Sequence, residues 1–125
     1  MLANFFQALI DVPETRFRMV RMTGVGAGAP TKNIGHGVTI TRQGMGDYKL
    51  TFNEYTGSYV GADYSLESAT MTDLKNFSVV FKNYDTTNRV IEFTLFNASG
   101  TATDLQANQQ IIIYAQFAMI NSALM

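Results

Sequence analysis

At 125 residues the chain is one domain by size, with room for a single core and none for a second. Nine Lys/Arg stand against ten Asp/Glu for a net charge of −1, and there is no cysteine. The charge balance argues against a basic nucleic-acid-binding surface, and the lack of cysteine excludes disulfides and thiolate metal sites. Apolar residues make up 46% and charged residues only 15%, below the ~25% of an average soluble domain, which points to apolar surface shared with partners.

Residues 1–15 stand apart from the rest. Phe5, Phe6, Leu9 and Ile10 recur at i, i+1, i+4 and i+5, a spacing that a short helix gathers onto one face. Val12-Pro13 ends that pattern, because the residue before a proline is steered out of the helical region. The segment reads as an arm or short helix, either capping an open end of the domain or lying on a neighbouring subunit. It has no positively charged leader and Asp11 interrupts its apolar run, so a signal peptide is not expected. No stretch reaches the ~18 consecutive apolar residues of a membrane helix. The expectation is a soluble protein with no membrane partner.

Thr15 to Thr23 reads as a strand with an irregularity. Phe17 and Met19 share one face and Arg16 and Arg18 the other, yet Val20 and Met22 fall on the arginine side. A bulge near Val20, or burial of both faces, reconciles the pattern. The glycine- and alanine-rich residues 24–37 then read as one long exposed loop, a feature often functional in compact β domains. Its Gly24-x-Gly26-x-Gly28 lacks both the Gly-Lys-Ser/Thr ending of a P-loop and the glycine spacing of a dinucleotide fingerprint. His36, the only histidine, has no second His or Cys with which to share a metal and reads as a loop residue.

Val38-Thr-Ile-Thr-Arg42, the turn Gln43-Gly-Met-Gly46 and then Asp47-Tyr-Lys-Leu-Thr-Phe52 make a ribbon. Tyr48, Leu50 and Phe52 alternate with Lys49, Thr51 and Asn53, which separates an apolar from a polar sheet face. Tyr55 and Tyr59, on either side of Thr56-Gly-Ser58, read as interface anchors on a loop. Residues 58–69 form a weaker strand and 70–76 a connection. Residues 77–84 and 89–97 form the clearest hairpin, with Phe77, Val79 and Phe81 facing Ile91, Phe93 and Leu95 across the turn Asp85-Thr-Thr-Asn88. In the polar connection 101–109, Asp104 is the carboxylate to watch, placed to accept backbone amides in the manner of an Asx turn. The last strand, residues 110–120, is apolar on both faces and needs cover on both. Ile111, Ile113, Phe117, Met119 and Ile120 are therefore the expected oligomer contact.

Roughly seven strands with regular turn signals and little helix indicate an all-β fold. The expectation is an antiparallel β-sandwich or jelly roll over residues 16–125, preceded by the arm or helix of residues 1–15. The ten carboxylates are scattered singly, and no catalytic, cofactor or metal residue is assigned. A glycan-acting sandwich enzyme ranks last among the readings.

The ribbon Ile40-Thr-Arg-Gln-Gly-Met-Gly-Asp-Tyr-Lys-Leu-Thr-Phe52 resembles a stretch of small structural proteins of tailed bacteriophages. So do Asn97-Ala-Ser-Gly100, Asp104-Leu-Gln-Ala-Asn108 and the isoleucine-rich strand after them, and the likeness covers roughly residues 38–118. The resemblance implies a virion component without catalytic residues or cofactor. Such a component is a head decoration (cement) protein, often trimeric, that stabilises the icosahedral head by bridging major capsid protein subunits. The implied partners are the major capsid protein and further copies of the chain, and the implied location is the capsid surface after synthesis in the host cytoplasm. On that reading Phe5, Phe6, Leu9 and Ile10 of the N-terminal segment, with Lys32 and His36 of the glycine-rich loop, are the expected capsid-binding residues. The alternative is a head or tail fibre, or a receptor-recognition subunit.

Overall fold

A computed structural model describes residues 14–54 and 57–119. Eight strands follow one another: β1 (Glu14–Thr23), β2 (Thr31–Ile34), β3 (Val38–Gly44), β4 (Asp47–Phe52), β5 (Ser58–Ser68), β6 (Ser78–Phe81), β7 (Val90–Phe96) and β8 (Gln109–Met119). They form two four-stranded sheets, the first in the order β2-β1-β8-β5 and the second in the order β3-β4-β7-β6. Every pairing is antiparallel. The all-β sandwich is as the alternation anticipates. β1–β2, β3–β4 and β6–β7 are hairpins within one sheet, and this strand order does not extend the expectation to a jelly roll. The segment expected as an arm or short helix lies, up to residue 13, outside the described residues.

Period-two alternation builds the core. Tyr48, Leu50 and Phe52 of β4 and Ile91, Phe93 and Leu95 of β7 point inward from the second sheet. Val20 and Met22 of β1 and Ile111, Ile113, Ala115 and Phe117 of β8 meet them from the first. The Phe52 ring crosses from one sheet to stand edge-on to Phe117 of the other, centroids 5.3 Å apart at 77°, a preferred geometry for the ring quadrupoles. Burying each such side chain contributes about 1.5–3 kcal/mol.

β1 resolves the irregularity read in its sequence. Its ten residues pair with β8 without interruption, from Glu14↔Met119 to Thr23↔Gln110. The only slip lies between Arg21 and Met22, on the β2 side. Alternation therefore holds, with Val20 and Met22 wholly buried while Phe17 and Met19 face outward, 65% and 40% exposed. The strand runs past the end of the core, and Arg18 closes that end. Its guanidinium stands 5.8 Å from the centre of the Phe52 ring, donates to the His36 carbonyl at 3.4 Å and lies 4.0 Å from Glu54. The apolar stem packs while the charged head keeps polar partners.

Two further expectations change. Residues 24–37 are not one exposed loop, because they contain β2 and because their first turn is docked. The Gly24 amide donates to the Gln109 carbonyl at 2.9 Å and the Gly26 amide to the Leu105 carbonyl at 3.0 Å. A Cβ on Gly24 would fall 2.2 Å from the Leu105 oxygen, so only glycine permits that approach. The expected oligomer contact is also displaced. Ile111, Ile113 and Phe117 have no exposed surface in the single chain, because β8 is a central strand flanked by β1 and β5 and these side chains fill the space between the sheets. On its other face, Arg21 of β1 crosses β8 to ion-pair with Glu67 of β5 at 2.7 Å, bonding Gln110 on the way. Ile112, beside Arg21 in register, is thereby nearly buried as well. The Met119 side chain and Ile120 lie outside the described residues.

These assignments give opposite outcomes for two apolar truncations. Ile113→Ala is expected to lower the unfolding free energy by about 2–5 kcal/mol, and Phe17→Ala by no more than about 0.5 kcal/mol. Equilibrium urea denaturation compares the two, and equal costs would contradict an inward Ile113 and an outward Phe17.

Candidate functional site

Asp104 is the one buried charged residue among those described, 7% exposed. Its carboxylate accepts a two-pronged bond from Arg42, Nε to Oδ1 and Nη2 to Oδ2, each 2.9 Å. Oδ1 also accepts the Gly46 amide at 2.9 Å and faces the Tyr48 hydroxyl at 3.5 Å. That hydroxyl in turn accepts the Leu105 amide at 2.8 Å. The donors come from the β3–β4 ribbon, Arg42 from β3, Gly46 from the turn and Tyr48 from β4; the register slips between Arg42 and Gly44 and Gly46 holds φ +71°. A Cβ on Gly46 would lie 2.7 Å from both the amide nitrogen and the carbonyl oxygen of Thr103, so glycine is needed here for contact as well as conformation.

The electrostatics follow from this geometry. Arg42, then the Gly46 amide and the Tyr48 hydroxyl, hold the Asp104 carboxyl below the usual carboxylate range, against the opposing effect of burial. Burial pushes the Tyr48 phenol up. The carboxylate spends its lone pairs on the protein itself and fastens the connection 97–108 onto the β3–β4 ribbon. Sequence reading singled Asp104 out but expected local amides. The amide it takes is 58 residues away and the guanidinium 62, separations that no turn signature reports.

The surfaces of the two sheets differ sharply. The outer face of the second sheet presents Thr39, Thr41, Lys49, Thr51, Glu92 and Thr94, with Val80 and the half-buried Phe96 as its apolar members. The outer face of the first presents Phe17 and Met19 of β1, Ile34 of β2 (47% exposed) and Val60 of β5 (55%). Tyr114 and Gln116 of β8 lie between them in register. Phe17, Val60, Gly61, Tyr114 and Gln116 line a shallow depression there. The signal for this face was the alternation of Phe17 and Met19 against the arginines, which by itself does not say which set looks outward.

Of the expected capsid-binding residues, Lys32 of β2 and His36 of the β2–β3 turn are both exposed. The Lys32 ammonium donates to the Val38 carbonyl at 2.7 Å, and the His36 carbonyl accepts from Arg18. Phe5, Phe6, Leu9 and Ile10 lie outside the described residues, as does Tyr55. Tyr59 is not on a loop tip. It belongs to β5 and stacks on Tyr84, ring centres 4.6 Å apart and planes at 9°. Burial, with Tyr84 beside it, pushes the Tyr59 phenol up. Among the described residues no three His, Asp or Glu side chains gather where they could hold a metal ion, and no helix is long and apolar enough to cross a membrane. Comparison with protein-family models, curated proteins and solved structures finds no match to the chain.

The Asp104 cluster makes a pH-dependent contribution whose sign is set by its lowered pKa. A carboxyl with a folded pKa below the unfolded value of about 3.9 stabilises fully above that value and loses the contribution as pH falls through the folded one. Asp104→Asn is expected to cost on the order of 2–3 kcal/mol near neutrality, less than a fully enclosed pair because Arg42 keeps some exposure. The gap to the wild type should shrink below about pH 4. Urea denaturation across that range measures it, and a constant gap would mean the charge is not what stabilises.

Proposed function

We propose that the protein is a non-catalytic binding module of a virion, a decoration protein of a tailed-phage head that docks by the outer face of its first sheet and bridges major capsid protein subunits. The observation that carries this reading is the asymmetry of the two outer faces. One is mostly threonine and charge with Val80 and Phe96 among them, and the other, beyond its Arg21–Glu67 pair, offers Phe17, Met19, Ile34 and Val60 to solvent on a hydrogen-bonded sheet. Apolar patches of this kind on a sparsely charged surface mark interaction sites. The resemblance adds a second support. Its two motif halves, Arg42 to Phe52 and Asp104-Leu105, are the halves that meet around the Asp104 carboxylate. The residues in common therefore specify a scaffold.

Such a module works by buried area and repetition. A single apolar face makes a modest interface, and many copies on a lattice raise the effective concentration of each neighbouring contact. Trimeric self-association stays in the proposal on the resemblance alone, since Ile111, Ile113 and Phe117 are spent on the core.

Quantitative mass spectrometry of purified particles tests the assignment. About one copy per coat subunit is expected of a shell-covering protein. A handful of copies would move it to a fibre, and absence would overturn the virion reading. On the same particles, Phe17→Asp and Val60→Asp should leave the thermal unfolding midpoint unchanged and weaken shell binding at least about tenfold, the loss of a central apolar anchor. Undiminished binding would discard this face.

A further inference from the structure

On one flank of the sandwich the edge strands are β5 of the first sheet and β6 of the second. The opening between them is filled from β5 by Tyr59 and from the segment after β6 by Tyr84. The two rings lie parallel, and each meets the buried Phe117 ring edge-on at 5.8 Å. They are anchored in the core yet remain half-exposed. Neither hydroxyl has a hydrogen-bond partner among the described residues. Ser58, Lys82, Asn83 and Thr86, all exposed, surround the rings to complete a cleft of about 540 Å³, within the ~300–1,000 Å³ typical of small-ligand sites.

The rim is held in place before any ligand arrives. Asp85 and Val90 exchange both backbone hydrogen bonds, at 3.0 and 3.1 Å, and the Lys82 amide donates to the Glu92 carbonyl at 2.9 Å. The Asp85 carboxylate accepts the Asn88 amide at 3.0 Å and its side-chain nitrogen at 2.8 Å. These bonds fix the backbone of the rim, which lowers that part of the ordering cost of binding.

From this arrangement we infer that the Tyr59–Tyr84 cleft binds a neutral glycan, with one pyranose ring laid against the tyrosine platform. A pyranose has an apolar C–H face for an aromatic ring and hydroxyls around its edge. The cleft offers the complement, with the Tyr59, Phe81 and Tyr84 rings in its lining and hydroxyl, amide and ammonium groups beside them. Its one cation, Lys82, pairs with Glu92 at 3.2 Å, which lessens the attraction it would offer an anionic ligand. Single-stranded nucleic acid also stacks on aromatics but tracks a positive groove, and this chain has a net charge of −1. The site lies on the flank, apart from Phe17 and Met19, and does not rest on shell docking.

Saturation-transfer NMR on the full-length chain tests it with methyl glucoside, methyl mannoside, methyl galactoside and their β-linked disaccharides, each at about 10 mM, the weak-binding range in which transfer is read. Transfer to the ring C–H protons of at least one probe is expected. Asn83→Ala, which leaves the aromatic stack untouched, and Tyr84→Ala should each reduce affinity at least about tenfold, while Phe17→Asp should leave it unchanged. If Tyr84→Ala does not fold, Asn83→Ala decides. No transfer from any probe, or transfer that survives the Asn83 change, overturns the inference.

Discussion

The bidentate bond between Arg42 and Asp104 sets the position of much that surrounds it. Asp104 sits in the connection that carries the chain from the end of β7 in the second sheet to β8 in the first. With its carboxylate on Arg42 and Gly46, the neighbouring backbone falls into a relay. Gly46 accepts from Leu95 at 2.8 Å, Leu95 accepts from Thr103 at 3.0 Å, and Leu105 and Gln109 accept from Gly26 and Gly24. One buried charge thus joins the β3–β4 turn, the end of β7, the start of β8 and the loop after β1. A buried ion pair is weak evidence for net stability, because desolvation offsets much of its attraction. Beyond the contribution of its carboxylate, the pair bears on register, since β8 is a central strand of the first sheet and starts just after the segment that Asp104 holds.

The same construction explains why the two outer faces differ. β4 and β7, the central strands of the second sheet, alternate cleanly and leave Lys49, Thr51, Glu92 and Thr94 to water. The first sheet is built on β1 and β8, both apolar on each face, and only part of the outward set is covered within the chain. Ile112 lies under Arg21, whereas Phe17, Met19 and Val60 stay open. The edges are blunted by ordinary devices. β2 and β6 are four residues long, and the longer β5 carries a bulge between Tyr59 and Gly61 with Asp63 and Glu67 further along.

Alternation made most strands legible. The ribbon through Tyr48, Leu50 and Phe52, the hairpin through Phe81 and Ile91, and the all-β class all follow from side-chain period within a few consecutive residues. β2 was not legible, because Thr31–Ile34 has no apolar alternation and becomes a strand only through its register with β1. The outward set of β1 was not legible either, since both of its faces carry apolar residues and only the place where the core ends separates them. β8 looked like an interface because a two-sided apolar strand needs cover, and sequence cannot say whether a second sheet or a second molecule supplies it. For Ile111, Ile113 and Phe117 the second sheet does. Tyr59 reads as a loop anchor because its stacking partner Tyr84 arrives from the segment after β6, 25 residues further along the chain.

What this sequence determined by itself is therefore local: the strands that alternate, the glycine turns, and a carboxylate out of the ordinary at Asp104. Which face meets which, what covers β8 and what Asp104 holds were decided by the tertiary structure. The physical reason is one of range. A pleat repeats every two residues and is written into any short stretch, whereas a contact partner is chosen only when the chain closes. In this protein, closure brings Asp104 to an arginine 62 residues earlier.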